Sequence, residues 1–172
     1  MRYSAQILAL IWTVLLLIVL EIFSTTFLLA LGVDQFSLNF VILITLFLAF
    51  KVDNTLVAIY ILVLQWVHSY FTVQGWAVGT ISGVIIYLLV GYIKELLHFS
   101  SMVSTMIVTF IAQMVWFAMT FSIIAAKTSG FHLFFTKLFY FLPEGIVLAI
   151  ISPFFYALLE RIWKGDLDGA RA

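Results

Sequence analysis

Glu21 is the only formal charge in the apolar run from Gln6 to Leu31. A carboxylate at the centre of a hydrocarbon layer costs about 3 kcal/mol on insertion scales. Glu21 is therefore expected to be neutral, paired or near the head groups. Its possible roles are structural or interfacial, a proton or solute relay, and contact with a partner.

Gln65 and His68 stand three residues apart near the end of another apolar run, and Gln113 lies in the middle of a third. Such groups usually hydrogen-bond a neighbouring helix, for about 1 kcal/mol or less. An intramembrane enzyme would need an acid, a base or a metal at one depth. Glu21, His68 and Gln113 fall on separate segments with no recognisable pairing. The three histidines, His68, His98 and His132, are scattered and no H-E-x-x-H occurs, so no metal site is read. Cysteine is absent, and no G-x-S-x-G marks a serine nucleophile. The expectation is no catalytic residue, no metal and no cofactor.

Gly75, Gly79 and Gly83 recur every four residues, with Gly91 eight further on. At helical spacing they make a smooth strip that lets two backbones approach, either within the chain or with a partner's membrane helix. Pro153 removes a hydrogen bond to the Ala149 carbonyl, so a kink or local opening is expected there. Leu142-Pro143-Glu144-Gly145 reads as a helix entry, with Glu144 meeting the positive end of the helix dipole.

These residues sit in elements set by composition. Of 172 residues, 65% are hydrophobic and only 9% charged, against about 25% charged in soluble domains. About 20 apolar residues cross a hydrocarbon layer as a helix. The reading is all-α: a polytopic membrane protein with one six-helix transmembrane domain over residues 1–164. Its spans are expected near 6–31, 37–50, 55–70, 76–97, 102–126 and 139–163, with a short cytoplasmic tail at 165–172. The two middle runs are marginal in length, and one of them is potentially re-entrant. The first run is read as an uncleaved span rather than a signal peptide.

Six spans place Arg2, Lys51, Lys94, Arg161, Lys164 and Arg171 on one side and Lys127 and Lys137 on the other. The positive-inside rule then puts both termini in the cytoplasm. A formal net charge of zero points to no nucleic-acid partner. Membrane lipid is the one partner composition implies, and oligomeric state is unread.

Two segments carry a family resemblance. The run from Val147 to Arg161, with Pro153 in mid-helix before an aromatic stretch and a basic patch, resembles the closing helix of the rod shape-determining membrane protein family MreD. The stretch Gly79 to Lys94, with Tyr87-Leu88-Leu89-Val90-Gly91-Tyr92, is similar to that family's fourth region. The resemblance implies a non-enzymatic component of the bacterial inner membrane, within the cell-elongation complex that guides side-wall peptidoglycan synthesis. Implied partners are a bitopic MreC-type protein, the actin-like filament protein MreB, RodA and the penicillin-binding synthases. It also implies a six-helix fold like that of the substrate-binding component of energy-coupling-factor vitamin transporters.

Such a transporter component is the alternative function. Ala5 and Ala9 have the spacing of its coupling helix. Its vitamin pocket would draw on Gln65, His68, Gln74 and His132, with Trp66 and Trp76 for stacking.

Overall fold

A computed structural model describes residues 2–30, 32, 38–52, 56–72, 75–94, 102–128 and 134–170. Six helices form among them: α1 (Arg2–Ala30), α2 (Phe40–Lys51), α3 (Val57–His68), α4 (Trp76–Ile93), α5 (Met102–Thr128) and α6 (Phe134–Ala170). The breaks fall where the apolar runs stop. Gly32 takes a φ of +68° just beyond α1, and Gly75 a φ of +77° before α4. Both are left-handed backbone that glycine adopts without steric cost.

Chain direction reverses at every connection. Gln6 meets Tyr60 and Glu21 meets His68, so α1 and α3 run the same way. Gln65 lies against Gly79, and Ile61 against Gly83, which makes α4 antiparallel to α3. Phe117 packs on Phe141 and Phe121 on Phe134, so α5 and α6 are antiparallel. Phe40 approaches Phe155, and Lys51 pairs with Glu160, so α2 follows α6. The Ser82–Thr120 contact, with Ile86 and Val90 nearing Ile107 and Ile111, opposes α4 and α5. One end of the bundle therefore holds the start of α1 and the finishes of α2, α4 and α6. Lys51, Lys94, Arg161 and Lys164 lie toward it, and Lys137 lies toward the other.

Helix α2 is the core. Every residue from Phe40 to Phe50 is buried, and the helix packs against all five others. A helix that is apolar all round has no face to give to water and must be enclosed. The other helices are inverted relative to soluble ones. On α1 the buried positions are Gln6, Ala9, Thr13, Leu17, Glu21 and Ser24, at helical spacing, while Ile7, Ile11, Trp12, Leu15 and Val19 face outward. On α5, Thr105, Thr109, Gln113 and Thr120 turn inward, and Val103, Ile107 and Ile111 turn out. Polar groups inside and apolar groups outside is the arrangement a hydrocarbon surrounding selects.

Three of these helices are long and apolar enough to cross a membrane: Ala5–Ala30, Met102–Ala126 and Phe134–Lys164. α2, α3 and the apolar part of α4 are shorter. At 12 residues each, α2 and α3 are only about 18 Å long at 1.5 Å per residue.

The end of the chain differs from expectation. α6 starts at Phe134, five residues before the expected 139, and the helix continues past the apolar span, which ends at Lys164, to Ala170. Pro143 and Glu144 therefore lie well inside the helix. Glu144 is buried in mid-helix, so it does not cap a helix start. Phe134 packs on Phe117 and Phe121 of α5, which holds the extra turns. The expected opening at Pro153 is not seen either, because the helix runs unbroken through both prolines. At Pro153, Ser152 Oγ donates 2.8 Å to the Ala149 carbonyl, the acceptor that the proline leaves without a backbone partner.

Candidate functional site

The polar groups that α1 turns inward meet α3 and α6. Near the start of α1, the Tyr60 hydroxyl lies 3.2 Å from Gln6 Oε1, to which it donates. One level on, Trp163 Nε1 donates 3.0 Å to Thr13 Oγ1, whose hydroxyl in turn donates to the Ala9 carbonyl. The Tyr60 and Trp163 rings lie 5.9 Å apart, closing an aromatic and polar junction of α1, α3 and α6.

Toward the other end, Glu21 Oε1 stands 2.8 Å from His68 Nδ1, with both side chains about 95% enclosed. Which of the two atoms donates depends on the tautomer of the ring. From the sequence alone neither residue has a recognisable partner. The pair stays hidden because 47 positions separate the two, and only the parallel course of α1 and α3 brings them level. The period of inward positions on α1 was the available signal, since it ends on Glu21 and Ser24.

Gln65 lies one turn before His68 and points toward α4. An ideal Cβ on Gly79 would sit 2.7 Å from Gln65 Oε1, and one on Gly83 would sit 3.0 Å from Gln65 Nε2 and 3.2 Å from Ile61 Cγ2. The missing side chains are thus filled by α3 of the same chain. Gln65 is 1% exposed, yet neither end of its carboxamide has a hydrogen-bond partner among the described residues. Gln113 is in the same position, fully buried with both amide atoms unpartnered, and His68 Nε2 is a further buried orphan.

The glycine strip divides by position. Gly75 serves the turn before α4, Gly79 and Gly83 serve packing on α3, and Gly91 is exposed with nothing near its Cβ position. The aromatic residues assigned to a vitamin pocket do not converge with Gln65 and His68. Trp66 and Trp76 are exposed on the outside of the bundle, and Gln74 and His132 lie outside the described residues. No group of three or more metal-binding side chains occurs among the described residues.

Chemically, this arrangement is a polar seam that fixes helix register. Each bridge joins two helices in surroundings without water, where an unmade bond has no solvent to fall back on. No protein-family model, curated protein or solved structure matches the chain. What the geometry defines is a class: an all-helical bundle with its polar groups inside and an apolar exterior.

Proposed function

We propose that this chain is a non-enzymatic, six-span component of the bacterial cytoplasmic membrane that supports rod-shape wall elongation. Its partners in this reading are an MreC-type bitopic protein, an MreB-type filament, RodA and a penicillin-binding synthase. The observation that supports it is the inverted bundle. Many polar side chains lie inside the bundle, several of them bridging helices, so the surface left for recognition is made largely of apolar helix faces. Such a surface suits other membrane helices. The alternating course of α1 to α6 is what six crossings require, and the basic residues gathered at one end favour that end in the cytoplasm.

Two outer faces are the candidate contacts. One is Gly91 with its exposed neighbours Leu88 and Tyr92 on α4; the other is Phe154 and Leu158 on α6, beside Pro153. The family resemblance spans both segments. Depletion in a rod-shaped host tests the reading. Rounded, widened cells, restored by the wild-type chain, are the expected result. Unchanged rods, together with a vitamin that stays bound through purification, would overturn it in favour of a transporter component.

A further inference from the structure

Gln113 is fully buried in the middle of α5, and both ends of its carboxamide lack a hydrogen-bond partner among the described residues. Trp116, three residues on and 1% exposed, has its indole Nε1 in the same state. Residues three apart on a helix are neighbours, with Cβ atoms about 5–6 Å apart. The two side chains therefore bring two kinds of N–H donor and one carbonyl acceptor to a single face of α5.

That face is anchored on both sides. One turn before Gln113, Thr109 faces the Tyr156 hydroxyl of α6, and the Tyr156 ring stands edge-on to Phe47 of α2, 5.8 Å between centroids. One turn after Trp116, Thr120 Oγ1 lies 3.2 Å from Ser82 Oγ of α4. Gln113 and Trp116 thus lie at the centre of the bundle between α4 and α6, and the apolar α2 packs on all three helices. Stranding a buried donor or acceptor forfeits more than it costs to immobilise a water. A buried water needs two to four polar partners, which this face supplies. A cation would meet N–H donors here, and an anion would find no Lys or Arg on α5 before Lys127. Gln65 differs, because its carboxamide already fills the gap at Gly79, 2.7 Å from where a Cβ would stand.

We infer that Gln113 and Trp116 form an internal water-binding site at the centre of the bundle. One water accepts the indole N–H of Trp116 and donates to Gln113 Oε1. The carboxamide N–H donates to a second water on the Thr109 side. The site does not depend on the function proposed above. The test is X-ray hydroxyl-radical footprinting of the full chain in nanodiscs, read by mass spectrometry, since radicals born from a bound water oxidise side chains that bulk solvent does not reach. Trp163 is the internal control: it is equally enclosed, and its Nε1 is bonded to Thr13. Oxidation of Trp116 with Trp163 spared is the expected result, and it needs no variant to fold. Gln113→Leu, which keeps the bulk without the amide, should abolish that oxidation. A Trp116 as protected as Trp163 overturns the site, and so does equal oxidation of both, which would show general water entry. Oxidation of Trp116 that persists in Gln113→Leu removes Gln113 from the site and overturns it as stated. An indole N–H that ultraviolet resonance Raman shows to be bonded, without any oxidation, would mean that Gln113 meets it directly, and also overturns the water.

Discussion

Glu21 and His68 form a buried pair, 2.8 Å between Oε1 and Nδ1, that joins α1 to α3. Removing one partner of such a pair leaves the other buried and unsatisfied, at a cost of about 1–3 kcal/mol. His68→Ala is therefore expected to lower thermal stability in detergent markedly. Glu21→Gln keeps an acceptor for the ring, so abundance and complex assembly should remain largely intact. The double change Glu21→Leu with His68→Leu should recover much of the single-variant loss. If His68→Ala unfolds at the wild-type temperature, the pair contributes nothing to the bundle.

Gly79 and Gly83 are argued to be internal. Gly79→Leu combined with Gly83→Leu drives side chains into Gln65 and Ile61, so α4 must part from α3 and abundance should fall. Gly91→Leu meets open space and should leave stability unchanged. If Gly91→Leu nevertheless weakens co-purification with a partner, that face is a contact. Unchanged abundance and thermal stability in the Gly79, Gly83 double variant would refute the packing role.

Gln65 keeps both amide atoms buried and unpartnered, which costs about 1–3 kcal/mol per stranded group. Gln65→Met preserves the volume without the polar atoms. It should be neutral or raise stability by about 1 kcal/mol, as read from thermal unfolding. A clear loss of stability would mean the carboxamide has a bonding role.

Ser152 replaces the bond that Pro153 forfeits. Ser152→Ala leaves the Ala149 carbonyl without its 2.8 Å donor, at a cost of about 1 kcal/mol. Pro153→Ala should relieve that cost, since it restores a backbone N–H to the same carbonyl. If the two substitutions prove additive, the coupling does not exist.

Much of the bundle was legible in the sequence because apolar length and charge punctuation are local. The starts of α4 at Trp76 and of α5 at Met102 follow from composition alone. The shared inward face of Gln6, Thr13, Glu21 and Ser24 on α1 emerges only from the structure. The start of α6 was not legible, because Pro143 imitates a first-turn proline, and the earlier turns are held by packing of Phe134 and Phe141 on distant Phe117 and Phe121. The pairing of Glu21 with His68 was hidden for the same reason. It depends on how two distant helices align; the period of inward positions on α1 marks the face of Glu21 but not which helix it meets. α2 was underrated: a run too short to cross comfortably turned out to be the centre of the bundle.

Six crossings are the claim on which the functional reading rests, and the absence of cysteine makes them directly measurable. Single cysteines at Leu38, Leu56, Thr72 and Lys94 would be treated with a membrane-impermeant maleimide in intact cells. Leu38→Cys and Thr72→Cys are predicted to react, while Leu56→Cys and Lys94→Cys react only after the membrane is opened. Labelling of Leu38→Cys and Leu56→Cys alike in intact cells would show that α2 does not cross, and would contradict the account.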